Sequence, residues 1–87
     1  MDIKGIPEAR ALTYEEYEEL IEDGLDPAFQ DKENRMSVAV WVRKLVPWMM
    51  SKIYPDFDYK KIPWPVARKL ALDTYVLTVK GEEESKN

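Results

Sequence analysis

The stretch that decides the fold is residues 35–54, Arg-Met-Ser-Val-Ala-Val-Trp-Val-Arg-Lys-Leu-Val-Pro-Trp-Met-Met-Ser-Lys-Ile-Tyr. Its apolar side chains recur at helical spacing, and they form a stripe of Val38, Trp41, Val42, Leu45, Met49 and Ile53. Further apolar residues widen this stripe, namely Val40, Val46, Trp48 and Met50. A helix so apolar must be nearly surrounded. We therefore expect the 35–54 segment to carry more apolar surface than its own small fold can hide, so that another polypeptide covers the excess.

A proline stands in the middle of this helix. Pro47 removes the hydrogen bond that its N–H would have made to the Arg43 carbonyl. It falls near a narrow polar strip that includes Arg43, Lys44 and Ser51, where water can reach the freed carbonyl. The pattern predicts a kink at Pro47, and a break into two helices is the alternative.

The first helix is predicted over 14–23 from its end signals. Thr13 is an N-cap residue and Glu16 follows three positions later, which is the pattern of a capping box. Gly24 follows the last turn, and Leu25 can fold back over the helix end in a Schellman motif.

This first helix has two unlike faces. Its apolar stripe consists of Tyr14, Tyr17, Leu20 and Ile21. Its opposite face consists of Glu15, Glu18, Glu19 and Glu22. The acidic face is either a solvated surface or a docking strip for a basic partner, including the basic half of this chain.

The last helix is predicted over 65–80, because Pro65 is placed to occupy its first turn. The β-branched run 74–79 leaves a short strand open as an alternative. Gly81 is expected to end the helix, which makes 1–81 a single helical domain and 82–87 a disordered, charged tail. Shorter signals predict a helical turn at Pro27 and a turn that Pro7 could start. The fold class is all-α, a small bundle of three main helices.

The charges are unevenly distributed along the chain. The net charge of the 87 residues is −4, but residues 1–34 carry −8, residues 35–80 carry +6 and the last seven carry −2. The acidic half either packs beside the basic half of the same molecule or meets the basic half of a neighbouring copy, as in a heterologous ring or filament.

The composition excludes several kinds of catalytic and metal site. The chain has no cysteine and no histidine, which removes thiolate nucleophiles, the usual general base and the commonest metal ligands. We predict no catalytic residue, no cofactor and no metal. Asp56 and Asp58 are spaced like the start of a calcium loop, but no glycine or closing glutamate follows, so a capped turn is the favoured interpretation. Without a signal peptide or a membrane-length apolar run, the expected location is the cytoplasm.

Nucleic-acid binding is the alternative class. Lys60, Lys61, Trp64, Arg68 and Lys69 combine basic side chains with an aromatic ring, as single-strand binding proteins do. The chain is acidic, however, with a pI of about 4.8, whereas nucleic-acid modules are usually basic. A protein partner and a homo-oligomer are therefore favoured over nucleic acid. We expect Trp41 and Met49 in the core.

The residues expected to bind a partner fall into two groups. The first is apolar and consists of Trp48, Met50 and Trp64. The second is acidic and consists of Glu15, Glu18, Glu19 and Glu22.

The segment Lys52-Ile-Tyr-Pro-Asp-Phe-Asp-Tyr-Lys-Lys-Ile-Pro-Trp-Pro-Val-Ala-Arg-Lys-Leu-Ala-Leu-Asp-Thr-Tyr-Val-Leu-Thr resembles the end of tail assembly chaperones of tailed bacteriophages. In those proteins an apolar helix, a Tyr-Pro-Asp connector and a Leu/Ile-Pro pair precede a final helix. The start Leu12-Thr13-Tyr14-Glu15-Glu16-Tyr17 is similar to the opening of their first helix. The resemblance implies a non-enzymatic helical protein of the host-cell cytoplasm that coats an apolar partner, the tape measure, during tail assembly. A virion assembly factor and a small regulatory protein that binds a host protein are also compatible with these features.

Overall fold

The structure, a computed structural model, describes residues 5–30, 32–33 and 35–85. Within them the chain forms three α-helices, α1 (Tyr14–Glu22), α2 (Val38–Ile53) and α3 (Trp64–Ser85). Two short 3₁₀ turns, Pro27–Phe29 and Tyr59–Lys61, lie in the connections. The described residues contain no strand, which confirms the all-α prediction and excludes the strand alternative for 74–79.

Both predicted ends of α1 are confirmed. The Thr13 side chain accepts from the Glu16 N–H at 3.2 Å, and the Glu16 carboxylate accepts from the Thr13 N–H at 2.9 Å. At the other end Gly24 adopts a φ of 75°, which the lack of a Cβ permits. The Leu25 N–H then reaches the Leu20 carbonyl at 3.1 Å, closing the Schellman motif.

Helix α2 is continuous and starts later than predicted. Ser37 has an extended backbone, and its hydroxyl accepts from the Val40 N–H at 3.3 Å, so it caps a helix that begins at Val38. The helix passes through Pro47 without interruption, which rules out the break. Pro47 lies on the exposed side, as expected, and its own carbonyl accepts from the Ser51 hydroxyl at 2.6 Å.

The buried face of α2 covers roughly 140° of its circumference at 100° per residue. Its members are Val42, Leu45, Val46, Met49, Met50 and Ile53. Met50 is 0% exposed, so the expectation that it lies at an interface is wrong for this chain. Its position at the edge of the arc made it look peripheral in the sequence, but the rest of the fold covers it. Met49 lies in the core, as expected.

Helix α3 packs against α2 through small residues. Its buried positions are Ala67, Leu70, Ala71 and Thr74. Alanines at the contact let the two helix backbones approach closely. Two larger apolar residues of this helix lie on the surface: Val76 is 43% and Leu77 is 42% exposed. The helix also continues past its predicted end at Gly81 to Ser85. Residues 86–87 lie outside the described part of the chain.

Residues 5–13 run as an extended segment along the helices, and Pro7 starts no helical turn. The Arg10 N–H donates to the Tyr54 hydroxyl at 3.2 Å, and the Leu12 N–H donates to the Thr78 hydroxyl at 2.9 Å. The Tyr54 and Thr74 hydroxyls lie 2.7 Å apart in the interior. These bonds attach Arg10 to the end of α2 and Leu12 to α3.

Substituting Glu16 by Gln tests the ion pair at the start of α1. Arg10 holds the Glu16 carboxylate through two bonds of 2.9 and 3.0 Å and lowers its pKa to about 2. Because the folded pKa is depressed, the stabilisation is present above about pH 4.5 and is lost as the pH falls toward 2. Gln can keep the capping bonds, so we expect Glu16→Gln to lower the free energy of unfolding by only about 1 kcal/mol at pH 7, since the pair is in contact with solvent.

Urea unfolding of both proteins between pH 7 and pH 2 measures this difference. The two stabilities should converge at the acid end. A difference that stays constant with pH would show that the ion pair contributes nothing.

Candidate functional site

Two of the three tryptophans tie α2 to the chain that follows α1. The Trp41 Nε1–H donates to the Leu25 carbonyl at 2.6 Å, and the ring packs edge-on against Tyr75 with centroids 5.3 Å apart. The Trp48 Nε1–H donates to the Asp23 carboxylate at 2.6 Å. Both side chains are half-buried. Trp48, predicted to bind a partner, thus has a bond inside the fold, whereas Trp41 lies against the core, as expected.

Trp64 is the exposed tryptophan. It opens α3, and 51% of its surface is accessible. The Arg68 guanidinium, one turn further on, lies over its ring at 5.2 Å from the centroid. Such a cation–π contact orients the ring without burying it. Of the three apolar side chains predicted to bind a partner, Trp64 is the most exposed.

Trp64 borders a pocket of about 480 Å³ between the middle of α2 and the start of α3. We call it the Trp64 pocket, and it is lined by Arg43, Val46, Pro47, Tyr59, Lys60, Ile62, Trp64 and Ala67. Its cations are Arg43 and Lys60, both exposed.

A larger and more apolar depression of about 680 Å³ lies between the first turns of α2 and of α3. We call it the apolar groove, and it is lined by Val38, Val42, Pro65, Val66, Arg68, Lys69, Leu72 and Asp73. Lys69 and Asp73 pair with each other at 2.6 Å. Arg68 belongs to the groove and also stacks on Trp64, so the groove and the Trp64 pocket share a border.

The apolar groove was not predicted from the sequence, because Val38 was assigned to the buried stripe of the 35–54 helix. Val38 does lie on the same side of α2 as Leu45, yet it is 74% exposed. As the first residue of the helix it projects beyond the elements that cover the core. The signal that could have shown this is Ser37, whose capping role makes Val38 a terminal residue. The excess apolar surface of α2 is thus at its N-terminal end, not around Met50.

Some carboxylates on the acidic face of α1 form ion pairs within the fold, and others do not. Lys52 of α2 pairs with Glu19 at 3.2 Å and with Asp23 at 3.7 Å. The hydrogen bond to Glu19 raises the pKa of Lys52. The other three glutamates of the predicted set are exposed and form no ion pair with any described residue: Glu15, Glu18 and Glu22. We call these three the acidic strip.

The acidic strip has apolar neighbours. Tyr14, at the start of α1, is 83% exposed, although the sequence placed it on the buried stripe. Tyr14 and Leu77 of α3 line a further depression, which is distinct from the Trp64 pocket and the apolar groove. No residue of α1 lines the Trp64 pocket or the apolar groove, so the strip and the basic residues occupy separate surfaces.

Comparison of the chain with protein-family models, curated proteins and solved structures finds no match. The site is therefore interpreted from its own geometry.

One buried carboxylate was not anticipated. Asp26 is 1% exposed and accepts from the Tyr17 hydroxyl, from the Tyr75 hydroxyl at 3.1 Å and from the Ala28 N–H at 2.9 Å. Partial burial and the nearby carboxylate raise the pKa of Tyr75 to about 12. The capping bond to Ala28 belongs to the helical turn that was predicted at Pro27. The other partners of Asp26 lie 9 and 49 residues away, which no local pattern reveals.

The polar groups inside the described residues serve the fold. Each buried side-chain nitrogen or oxygen among them has a hydrogen-bond partner. Among the same residues no group of three carboxylates is arranged to hold a metal ion. Asp58 caps the turn at Tyr59–Lys61 by accepting from the Lys60 N–H at 3.3 Å, which confirms the capped turn. None of the helices in the described part of the chain has the length and apolar character needed to cross a membrane.

Two matched tryptophan substitutions test whether Trp41 stabilises the fold and whether Trp64 is a surface residue. We expect Trp41→Phe to lower the free energy of unfolding by about 1–2 kcal/mol, because the Leu25 carbonyl loses its donor. Trp64→Phe should change it by less than about 0.5 kcal/mol, since 51% of that side chain is exposed. Urea unfolding followed by circular dichroism measures both. Equal costs for the two substitutions would contradict the assignment of Trp41 to the fold and Trp64 to the surface.

Proposed function

We propose that this protein is a non-enzymatic helical assembly or adaptor protein of the cytoplasm, and that its apolar groove binds a helix of a protein partner. The observation that carries the proposal is the exposed Val38, at 74%, beside a groove of about 680 Å³ and next to the half-exposed Trp64. Amphipathic helices commonly dock by laying their apolar face into such a groove.

The edge of the groove indicates what the partner helix carries. Arg68 and, across the border, Lys60 and Arg43 form no ion pair with a described residue. These cations favour a helix with acidic side chains along its polar flank. Trp and Arg are also the residue types that most often contribute large binding energies in interfaces, and here Trp64 and Arg68 are stacked on each other.

The sequence resemblance gives this proposal a biological setting. A tail assembly chaperone of a bacteriophage would use such a groove to cover apolar helical segments of the tape measure until assembly. That assignment is the more specific form of the proposal, and the groove supports it because its apolar lining suits a transiently exposed apolar helix.

Selection from a displayed library of helical peptides tests the groove. Wild-type protein should enrich peptides with an apolar stripe and acidic flanks. Val38→Asp should abolish the enrichment, because it places a charge in the groove while remaining favourable at the first turn of a helix. The matched control is Val40→Asp, since Val40 is 44% exposed on the same helix but lines neither the groove nor the Trp64 pocket.

Two results would overturn the proposal. One is the absence of any enriched sequence that depends on Val38. The other is binding of a labelled single-stranded oligonucleotide that is lost on Lys60→Glu/Lys61→Glu while no peptide binds, which would assign the basic residues to nucleic acid.

A further inference from the structure

We infer that the helix that occupies the groove is α1 of a second copy of this chain, so that the protein associates head to tail. The inference rests on the proposed function of the groove and names its occupant. It follows from two surfaces of one molecule that are complementary but cannot meet within it.

The two surfaces have opposite charge. The acidic strip presents three carboxylates without an ion pair to a described residue: Glu15, Glu18 and Glu22. The groove and the adjoining pocket present Arg43, Lys60 and Arg68, likewise without one. Lys69 is already neutralised by Asp73. Placing the acidic strip of one copy against the groove of the next would bring three carboxylates to three cations, none of which pairs with a described residue of its own chain.

The apolar parts also correspond. Tyr14, 83% exposed, lies one turn before Glu18 of the acidic strip on α1 and lines a depression together with Leu77, which is 42% exposed. Val38 and Trp64, 74% and 51% exposed, lie beside the cations. An interface between the two surfaces would bury aromatic and aliphatic side chains at its centre and leave charge pairs at its edge, which is the usual composition of a protein interface.

The acidic strip has the spacing that a groove can accept. Glu15, Glu18 and Glu22 follow one another at intervals of three and four residues, so they lie along one side of α1. Glu19 and Glu16 form ion pairs with Lys52 and Arg10 of their own chain. The fold therefore neutralises one part of the acidic face and leaves another part for a partner.

Because α1 lines neither the groove nor the pocket, one strip-to-groove contact leaves a free groove on one copy and a free strip on the other. The association that we infer repeats this contact from copy to copy and is therefore heterologous. Such an interface builds rings or open chains rather than a closed symmetric pair.

Sedimentation velocity on the full chain tests the inference. Wild-type protein should form larger species as its concentration rises, and added salt should dissociate them because the edge pairs are screened. Two variants should each weaken the association by about tenfold or more: Glu18→Lys/Glu22→Lys on the strip, and Lys60→Glu/Arg68→Glu at the groove. Lys44→Glu/Lys80→Glu is the matched control, since both residues are exposed and line neither depression.

Mixing the two variants gives the decisive result. The strip variant keeps an intact groove and the groove variant keeps an intact strip, and the reversed charges of the two variants are also complementary to each other. Equal amounts should therefore associate, although neither variant associates alone. Circular dichroism confirms that each variant is folded. A wild-type chain that stays monomeric at high concentration, or a mixture that forms no dimer, would overturn the inference. If peptides are nevertheless selected through Val38, the proposed function stands and the partner is a different protein.

Discussion

Met50→Ala should lower the free energy of unfolding by about 2–5 kcal/mol. The Met50 side chain is 0% exposed, so its truncation removes apolar contacts and leaves a cavity that the surrounding residues fill only in part. For a domain of this size the loss is a large fraction of the total stability, which is commonly about 5–15 kcal/mol.

Urea unfolding measures this effect through the midpoint, with the slope unchanged if the native fold is kept. Val40→Ala is the matched control, because Val40 lies on the same helix and is 44% exposed. We expect it to change stability by less than about 0.5 kcal/mol. If Met50→Ala were equally mild but abolished self-association, Met50 would be a surface residue and the sequence-based assignment to an interface would be restored.

Asp26→Asn should be the second large loss, at about 1.5–3 kcal/mol, because hydrogen bonds to a charged group are the stronger ones. The amide keeps an oxygen that can accept from the Ala28 N–H, but it loses the negative charge that receives the Tyr17 and Tyr75 hydroxyls. The substitution therefore tests the charge of the cluster and not its shape. Asp56→Asn, at an exposed position, is the control and should be close to neutral.

The same variant has a spectroscopic consequence. The pKa of Tyr75 is raised to about 12, first by burial and then by Asp26. In Asp26→Asn it should fall toward 10 without reaching it, since the burial remains. Titration of ¹³C-labelled tyrosine by NMR measures this, with Tyr75→Phe to assign the resonance. An unchanged pKa would show that Asp26 does not act on Tyr75.

The direction of the alkaline effect follows from the raised pKa. The folded state favours the protonated Tyr75, so its contribution to stability is fully present below about pH 10 and is lost as the pH rises toward 12. Wild-type protein should lose stability over that interval more steeply than Tyr75→Phe.

How far prediction succeeded differs between the fold and the candidate site. The helices were predicted to within a few residues, and the capping box at Thr13 and the Schellman motif at Gly24 were identified in detail. Of the residues predicted to bind a partner, Trp64 and the acidic strip are exposed, whereas Met50 is buried and Trp48 is bonded to Asp23. The groove at Val38 was not foreseen.

The sequence by itself determined the three helices, their starting signals and the opposite charges of the two halves of the chain. These features depend on residues within about four positions of one another, or on composition alone. Only the tertiary structure decided which apolar residues are hidden, because burial depends on neighbours that are distant in sequence. Leu12 bonds to Thr78 across 66 residues and Tyr75 to Asp26 across 49. Packing over such distances buries Met50 and leaves Val38 exposed at the start of its helix.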